Sequence, residues 1–139
     1  MLPLRLVLDT NIVVSAAIKP DGLQRTVLLL ALTRPARLYV TEPILSEYRA
    51  VLSRRELDIR KGLRQQLLQR IEDGAYAVSP SRKICAAGDP DDDIFLECAD
   101  AARADYLVTG NLCHFPRFWK QTKIVSSREF VTLAVPHLV

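Results

Sequence analysis

Apolar residues fall along this chain in two alternating kinds of run. Leu4 to Leu8 is strand-length, rich in apolar residues and closed by Asp9, and Arg37 to Val40, Ala75 to Val78, Tyr106 to Thr109 and Lys123 to Val125 repeat that kind. Between them, apolar positions recur at helical spacing. Helices are expected over Asn11 to Ala17 and, after the turn Pro20-Asp21-Gly22, over Leu23 to Thr33. A third carries Ile44, Leu45, Tyr48, Val51 and Leu52 behind Thr41 as cap and Pro43 in its first turn, and a fourth runs from about Ile59 to Glu72, with Gly74 ending it. Asp91 to about Arg103, with Asp91 as cap, one turn over Phe115 to Lys120, and Ser127 to Leu133 behind Ser126 or Ser127 complete the series. Pro80 to Gly88 reads as a connector with room for a short extended piece. Strands alternating with helices imply an α/β fold with a parallel sheet covered on both faces. A chain of 139 residues fits one domain, residues 1–139.

In an open parallel sheet, ligands bind beyond the carboxyl ends of the strands, where loops converge and helix N-termini point. Asp9 and the Thr109 to Asn111 turn lie at such ends, and Glu47 and Asp91 to Asp93 are on helices that can lean over the same edge. At about 100° per residue, Asp92 borders the apolar face of its helix made by Phe95, Cys98, Ala99 and Ala102. Asp93, Glu97 and Asp100 group on the other side as solvated or dipole-favouring acids, and Asp89 reads as an Asp-Pro turn residue. Glu47 falls at the edge of its helix's apolar face, where a carboxylate needs a charged partner. An arginine nearby is one such partner. A divalent cation shared by crowded acids is another, and oxygen-only ligands favour Mg²⁺ or Mn²⁺ over zinc.

Charge sharpens that picture. Residues 89 to 105 hold seven acids against Arg103 alone, although the whole chain is at +3. The basic residues lie elsewhere: Arg54, Arg55, Arg60, Lys61, Arg64 and Arg70 in one stretch, and Arg117, Lys120, Lys123 and Arg128 in another. Such asymmetry suits a polyanion held beside a metal site. Cys85, Cys98 and Cys113 show no zinc or disulfide spacing. With no signal-peptide pattern after Met1 and no apolar run longer than Val27 to Leu32, a cytoplasmic protein without a membrane span is expected.

Asp9-Thr-Asn-Ile12, Leu45-Ser-Glu-Tyr48, Asp89-Pro-Asp-Asp-Asp-Ile-Phe-Leu-Glu-Cys-Ala99 and Leu107-Val-Thr-Gly-Asn-Leu-Cys-His-Phe115, taken together and in order, resemble the PIN domain family. More narrowly, the chain resembles bacterial PIN-family toxins of toxin–antitoxin systems, relatives of the VapC type, from about Leu4 to about Phe130. The resemblance implies a three-layer α/β/α sandwich around a parallel sheet and a Mg²⁺- or Mn²⁺-dependent endoribonuclease. It carries Asp9, Glu47 and Asp92 over as the catalytic and metal-binding acids, with Asn11 supporting the first acid and Thr109 the hydroxyl ahead of the fourth position. Family members often have an acid at the place of Asn111 or His114, and this chain has neither. Asn111 through its amide, or Asp93 from the adjacent helix, then stands in as a further metal-site candidate.

Single-stranded RNA is the substrate that the resemblance implies, with Arg54, Arg55, Arg60, Lys61 and Arg117 as candidates for its phosphates, and Phe118 and Trp119 as aromatic residues able to stack on a base. A homodimer is suggested by apolar surface on Leu23 to Leu32 and Leu45 to Leu52, and a small antitoxin partner by the family. The rival reading is a PIN-fold RNA-binding or assembly module with a degenerate site. Haloacid-dehalogenase phosphohydrolases need a second Asp where this chain has Asn11, and receiver domains need a strand-end Lys that the chain lacks.

Overall fold

Leu6, Val7 and Leu8 have no accessible surface, and a strand hidden on both faces belongs inside a sheet. The structure, a computed structural model that describes residues 4–134, puts them in β1 (Arg5–Leu8), between β2 (Arg37–Val40) and β4 (Tyr106–Val108). Both neighbours are parallel to it, with Leu6 opposite Leu38 on one side and Tyr106 on the other. β3 (Tyr76–Ala77) extends the sheet beyond β2, and β6 (Thr122–Val125) beyond β4, again in parallel. β5 (Phe118–Trp119) closes the far edge antiparallel to β6, giving the order β3-β2-β1-β4-β6-β5.

The path from β1 to β3 runs one way across the sheet, through α1 (Thr10–Ile18) and α2 (Leu23–Ala31), then α3 (Glu42–Leu52) and α4 (Lys61–Gly74). α5 (Pro90–Ala102) then carries the chain back past β1 to β4. Right-handed crossovers in opposite directions place their helices on opposite faces. α5 accordingly lies across β1, β2 and β4, while α6 (Ser127–Ala134) joins α2. The result is a three-layer α/β/α sandwich whose core is aliphatic, with Tyr48, Phe95 and Phe130 as its largest buried rings.

Three expectations about elements change. Asp89, rather than Asp91, caps α5: its carboxylate accepts the Asp91 N–H at 2.9 Å. Proline forces the residue before it into extended backbone and suits the first helical position, so Asp-Pro is itself a helix start. Phe115 to Lys120 forms no helix. A single helical turn comes earlier, at Leu112–His114, and Lys120 at φ 53° lets the chain reverse from β5 into β6. The connector from Pro80 to Gly88 holds no strand. At α6, Ser126 is the cap, exchanging hydrogen bonds with Glu129.

The apolar helix faces that suggested a partner are largely used within the chain: Val27, Leu28 and Ala31 of α2, and Ile44, Leu45, Tyr48 and Leu52 of α3, are buried. Ile18 and Leu29 remain exposed. No helix among the described residues is long and apolar enough to cross a membrane.

Candidate active site

Asp9 sits where β1 ends and α1 begins, and both elements fix it. Its N–H bonds the Val108 carbonyl of β4 at 2.9 Å, and its carboxylate caps α1 by accepting the Thr10 N–H at 2.7 Å. The second carboxylate oxygen accepts from the Thr109 hydroxyl at 2.7 Å and the Asn11 amide at 3.2 Å. Those two are held in turn. The Asn11 side-chain oxygen accepts the Gly110 N–H at 3.0 Å, and Thr109 Oγ1 accepts the Asn111 N–H at 3.0 Å. Asn11 and Thr109 thus tie the end of β4 to the start of α1 around one carboxylate.

Glu47 reaches the same place from α3, where it accepts the Thr10 hydroxyl. Its helix is anchored one residue on, since buried Tyr48 donates its hydroxyl to the Leu8 carbonyl. Asp92 comes from the first turn of α5, its side chain 19% exposed, with His114 Nδ1 at 3.4 Å and half exposed. All three acids have raised pKa values, with burial the largest cause. Asp92 raises Asp9 further, and Asp9, Asp91 and Asp92 raise Glu47. Opposing this are the Thr109 and Thr10 hydrogen bonds on Asp9, the Thr10 hydroxyl on Glu47, and the proximity of His114 to Asp92. The balance leaves excess negative charge at one sheet edge.

The other acids of α5 are placed differently from the helical projection. Asp93 is 5% exposed and accepts the Ala87 N–H at 2.8 Å; Glu97 accepts the Ile84 N–H at 3.1 Å. Asp100, its side chain 7% exposed, takes Lys120 at 2.8 Å, Arg82 at 3.5 Å and the Trp119 indole N–H at 3.2 Å. These three are not solvated, because the 79–88 connector and β5 wrap the flank of α5 that projection leaves bare. Asp93 is therefore turned from the acid cluster to the connector. Asn111 is exposed, and its backbone N–H, not its amide, makes the contact to Thr109. Arg54, Arg55, Arg60, Lys61 and Arg117 are all exposed, and among the described residues none enters an ion pair. Thr10, which joins two of the acids, and the contact of His114 with Asp92 were missed from sequence. Thr10 was legible as the first helical residue after a strand-end acid.

Among the described residues, no group of three or more His, Cys, Asp and Glu is arranged as a ready metal cage. Glu47 is turned to Thr10 and Asp92 to His114. By donor chemistry the site nevertheless fits a hard divalent cation: three carboxylates, supplied by β1, α3 and α5, whose pKa values burial and neighbouring acids raise.

A family model described as the PIN domain matches residues 5–112. PIN domains are generally nucleases that use divalent metal ions. No curated protein matches the chain. A chain in the crystal structure of VapBC2 from Rickettsia felis, bound to a DNA fragment from their promoter, has a similar fold: TM-score 0.58 at 20% identity, over 88% of this chain and 98% of that one. With the family model spanning most of its length, and with Asp9, Thr109 and their supports at the carboxyl ends of a parallel sheet, this chain belongs to the PIN domain family.

Proposed function

We propose that this protein is a Mg²⁺- or Mn²⁺-dependent endoribonuclease that cleaves single-stranded RNA, with Asp9, Glu47 and Asp92 as its catalytic acids. The observation that carries this reading is the meeting of these carboxylates from β1, α3 and α5 at one sheet edge, Glu47 joined to Asp9 through Thr10 and Asp92 close enough to raise the pKa of both. Asp9 and Asp92 would hold the ion, with Glu47 ligating it or orienting the attacking water. The ion, when bound, lowers the pKa of water and offsets charge on the phosphodiester.

The chain's own residues do the rest. Thr109, Asn11 and the Thr10 N–H aim the carboxylate of Asp9 by filling its protein-facing lone pairs. The Thr10 hydroxyl fixes Glu47 relative to Asp9. Exposed Arg54, Arg55, Arg60, Lys61 and Arg117 would contribute salt-dependent attraction for the phosphate chain. The role of toxin, with a cognate antitoxin, is supported by the fold shared with VapBC2. A homodimer and a cytoplasmic location complete the proposal.

Single-stranded RNA incubated with the protein and Mn²⁺ is expected to be cut, and neither an EDTA control nor Asp9→Asn should cut it. RNA binding without metal- and Asp9-dependent cleavage would instead establish the second reading, a degenerate binding module, which the lack of an acid from Thr109 to His114 favours. Co-purification with the product of an adjacent reading frame tests the antitoxin.

A further inference from the structure

The short β5 strand sorts its two aromatic residues onto opposite faces of the sheet. Trp119 pairs with buried Thr122 and is fixed towards α5 through its indole N–H on Asp100, with Arg82 over the ring at 5.7 Å. Successive strand residues point to opposite faces, so Phe118 projects away from α5. It is 59% exposed, the most exposed large apolar side chain among the described residues. Its partner across the antiparallel pair is Lys123, so the two side chains leave the sheet on the same face.

Beneath them lies a groove of about 250 Å³ lined by Leu112, Pro116, Arg117, Phe118, Lys123 and Glu129, among others. That is room enough for one aromatic base. Glu129 is already engaged with the Ser126 N–H. Among the described residues, Arg117 and Lys123 enter no ion pair. The groove therefore offers an aromatic face, an apolar wall and two cations against the one carboxylate of Glu129, a net positive lining of the kind that binds single-stranded nucleic acid. It also shares a wall with the acid cluster. Leu112 and His114 belong to the same three-residue helical turn, so the turn that sets His114 against Asp92 also lines the groove.

We infer that this groove is a nucleotide subsite, in which a base of single-stranded RNA stacks on Phe118 while Lys123 and Arg117 hold the adjoining phosphate, on the same strand as the bond placed at the acids. The inference rests on the ribonuclease reading and adds to it a place where sequence preference can arise. Free cations and continuity with the acid cluster favour RNA over a protein segment as occupant.

The test is binding of fluorescent six-nucleotide homopolymer RNAs, and of an abasic RNA of equal length, in EDTA, to the protein and to Phe118→Ala, Phe118→Trp and Lys123→Gln. Because Phe118 is largely exposed, its variants should melt as the parent does. Phe118→Ala is expected to weaken the best-bound RNA by roughly tenfold to a hundredfold, and Phe118→Trp to restore it. The abasic RNA should be unaffected by either change. Lys123→Gln should weaken all RNAs and lower the slope of log affinity against log salt by about 0.7. Unchanged RNA affinity in Phe118→Ala, beside a parent that binds RNA, overturns the subsite alone and leaves the groove to a protein partner. A parent that binds no RNA in EDTA overturns the subsite, and the ribonuclease reading falls with it only where Mn²⁺ also brings no cleavage.

Discussion

The two ends of α5 carry the same residue type in opposite electrostatic states. At its N-terminal end Asp92 has neighbouring acids, the half-exposed His114 ring with Nδ1 at 3.4 Å, and a raised pKa. Near its C-terminal end, Asp100 is held by Lys120, Arg82 and Trp119, and the Lys120 hydrogen bond leads the causes of its lowered pKa. Two helical turns separate an acid neutralised by the protein from one that is not. Asp100 fastens the connector and β5 to the helix. Asp92, with Asp9 and Glu47, keeps negative charge that only something from outside offsets, which is why the second cluster reads as a site and the first as a clasp.

Exchanging the two acids for neutral residues separates these roles most sharply in turnover. Asp92→Asn is expected to lower RNA cleavage by at least about a hundredfold, the scale of losing one preorganised electrostatic group, with melting temperature unchanged or raised. Asp100→Ala should keep metal-dependent cleavage while losing on the order of 1 to 2 kcal/mol of stability, discounted because Lys120 and Arg82 are half exposed. Chemical denaturation and a cleavage assay on both variants check this, and equal loss of activity in the two would end the distinction. The next largest effect is on cation response. Mn²⁺ at a hundred times its dissociation constant should stabilise the parent by about 2.7 kcal/mol, and the melting shift should survive in Asp100→Ala and vanish in Asp92→Asn.

Proton linkage tests the same contrast without metal. Asp9, Glu47 and Asp92 have folded-state pKa values above their ordinary ones, so their ionised forms destabilise the fold at neutral pH, and protonation relieves this as pH falls through the folded values. Asp100 is the reverse: its contribution is complete above the ordinary carboxylate value and is lost as pH falls through its depressed folded value. In EDTA the parent should therefore gain melting temperature as pH falls from neutral towards the ordinary carboxylate values of about 4 and lose it in stronger acid. Asp92→Asn should flatten the gain, and Asp100→Ala the loss. A parent that only loses stability on acidification would show that the three acids are not held above their ordinary pKa values.

The acid cluster was more legible in the sequence than the clasp, for a physical reason. Asp9 follows a buried strand and Glu47 and Asp92 border apolar helix faces, so periodicity alone orients them. Asp93, Glu97 and Asp100 owe their surroundings to backbone N–H groups and cations of an aperiodic connector and a two-residue strand. Neither element is long enough to show alternation, and a lysine in left-handed backbone, as at Lys120, leaves no compositional trace. The capping role of Asp89 follows from Asp-Pro chemistry, since the pair that signals a turn also starts a helix.

The smallest expected effect concerns the segment where the acid cluster is incomplete. Asn111 is exposed beside the cluster, its N–H on the hydroxyl that holds Asp9. Asn111→Asp adds one charge without disturbing that backbone bond. In the metal-free protein the new charge meets carboxylates already at raised pKa, so melting temperature should fall slightly. With Mn²⁺ present the same charge should tighten binding by about threefold, exposure limiting it to the range of surface charge pairs. Calorimetric titration of parent and variant measures both, and opposite signs with and without the ion are the required result. Weaker Mn²⁺ binding by the variant would mean that the ion sits away from the 109–114 turn, and that the acids of β1, α3 and α5 hold it on the far side of Asp9.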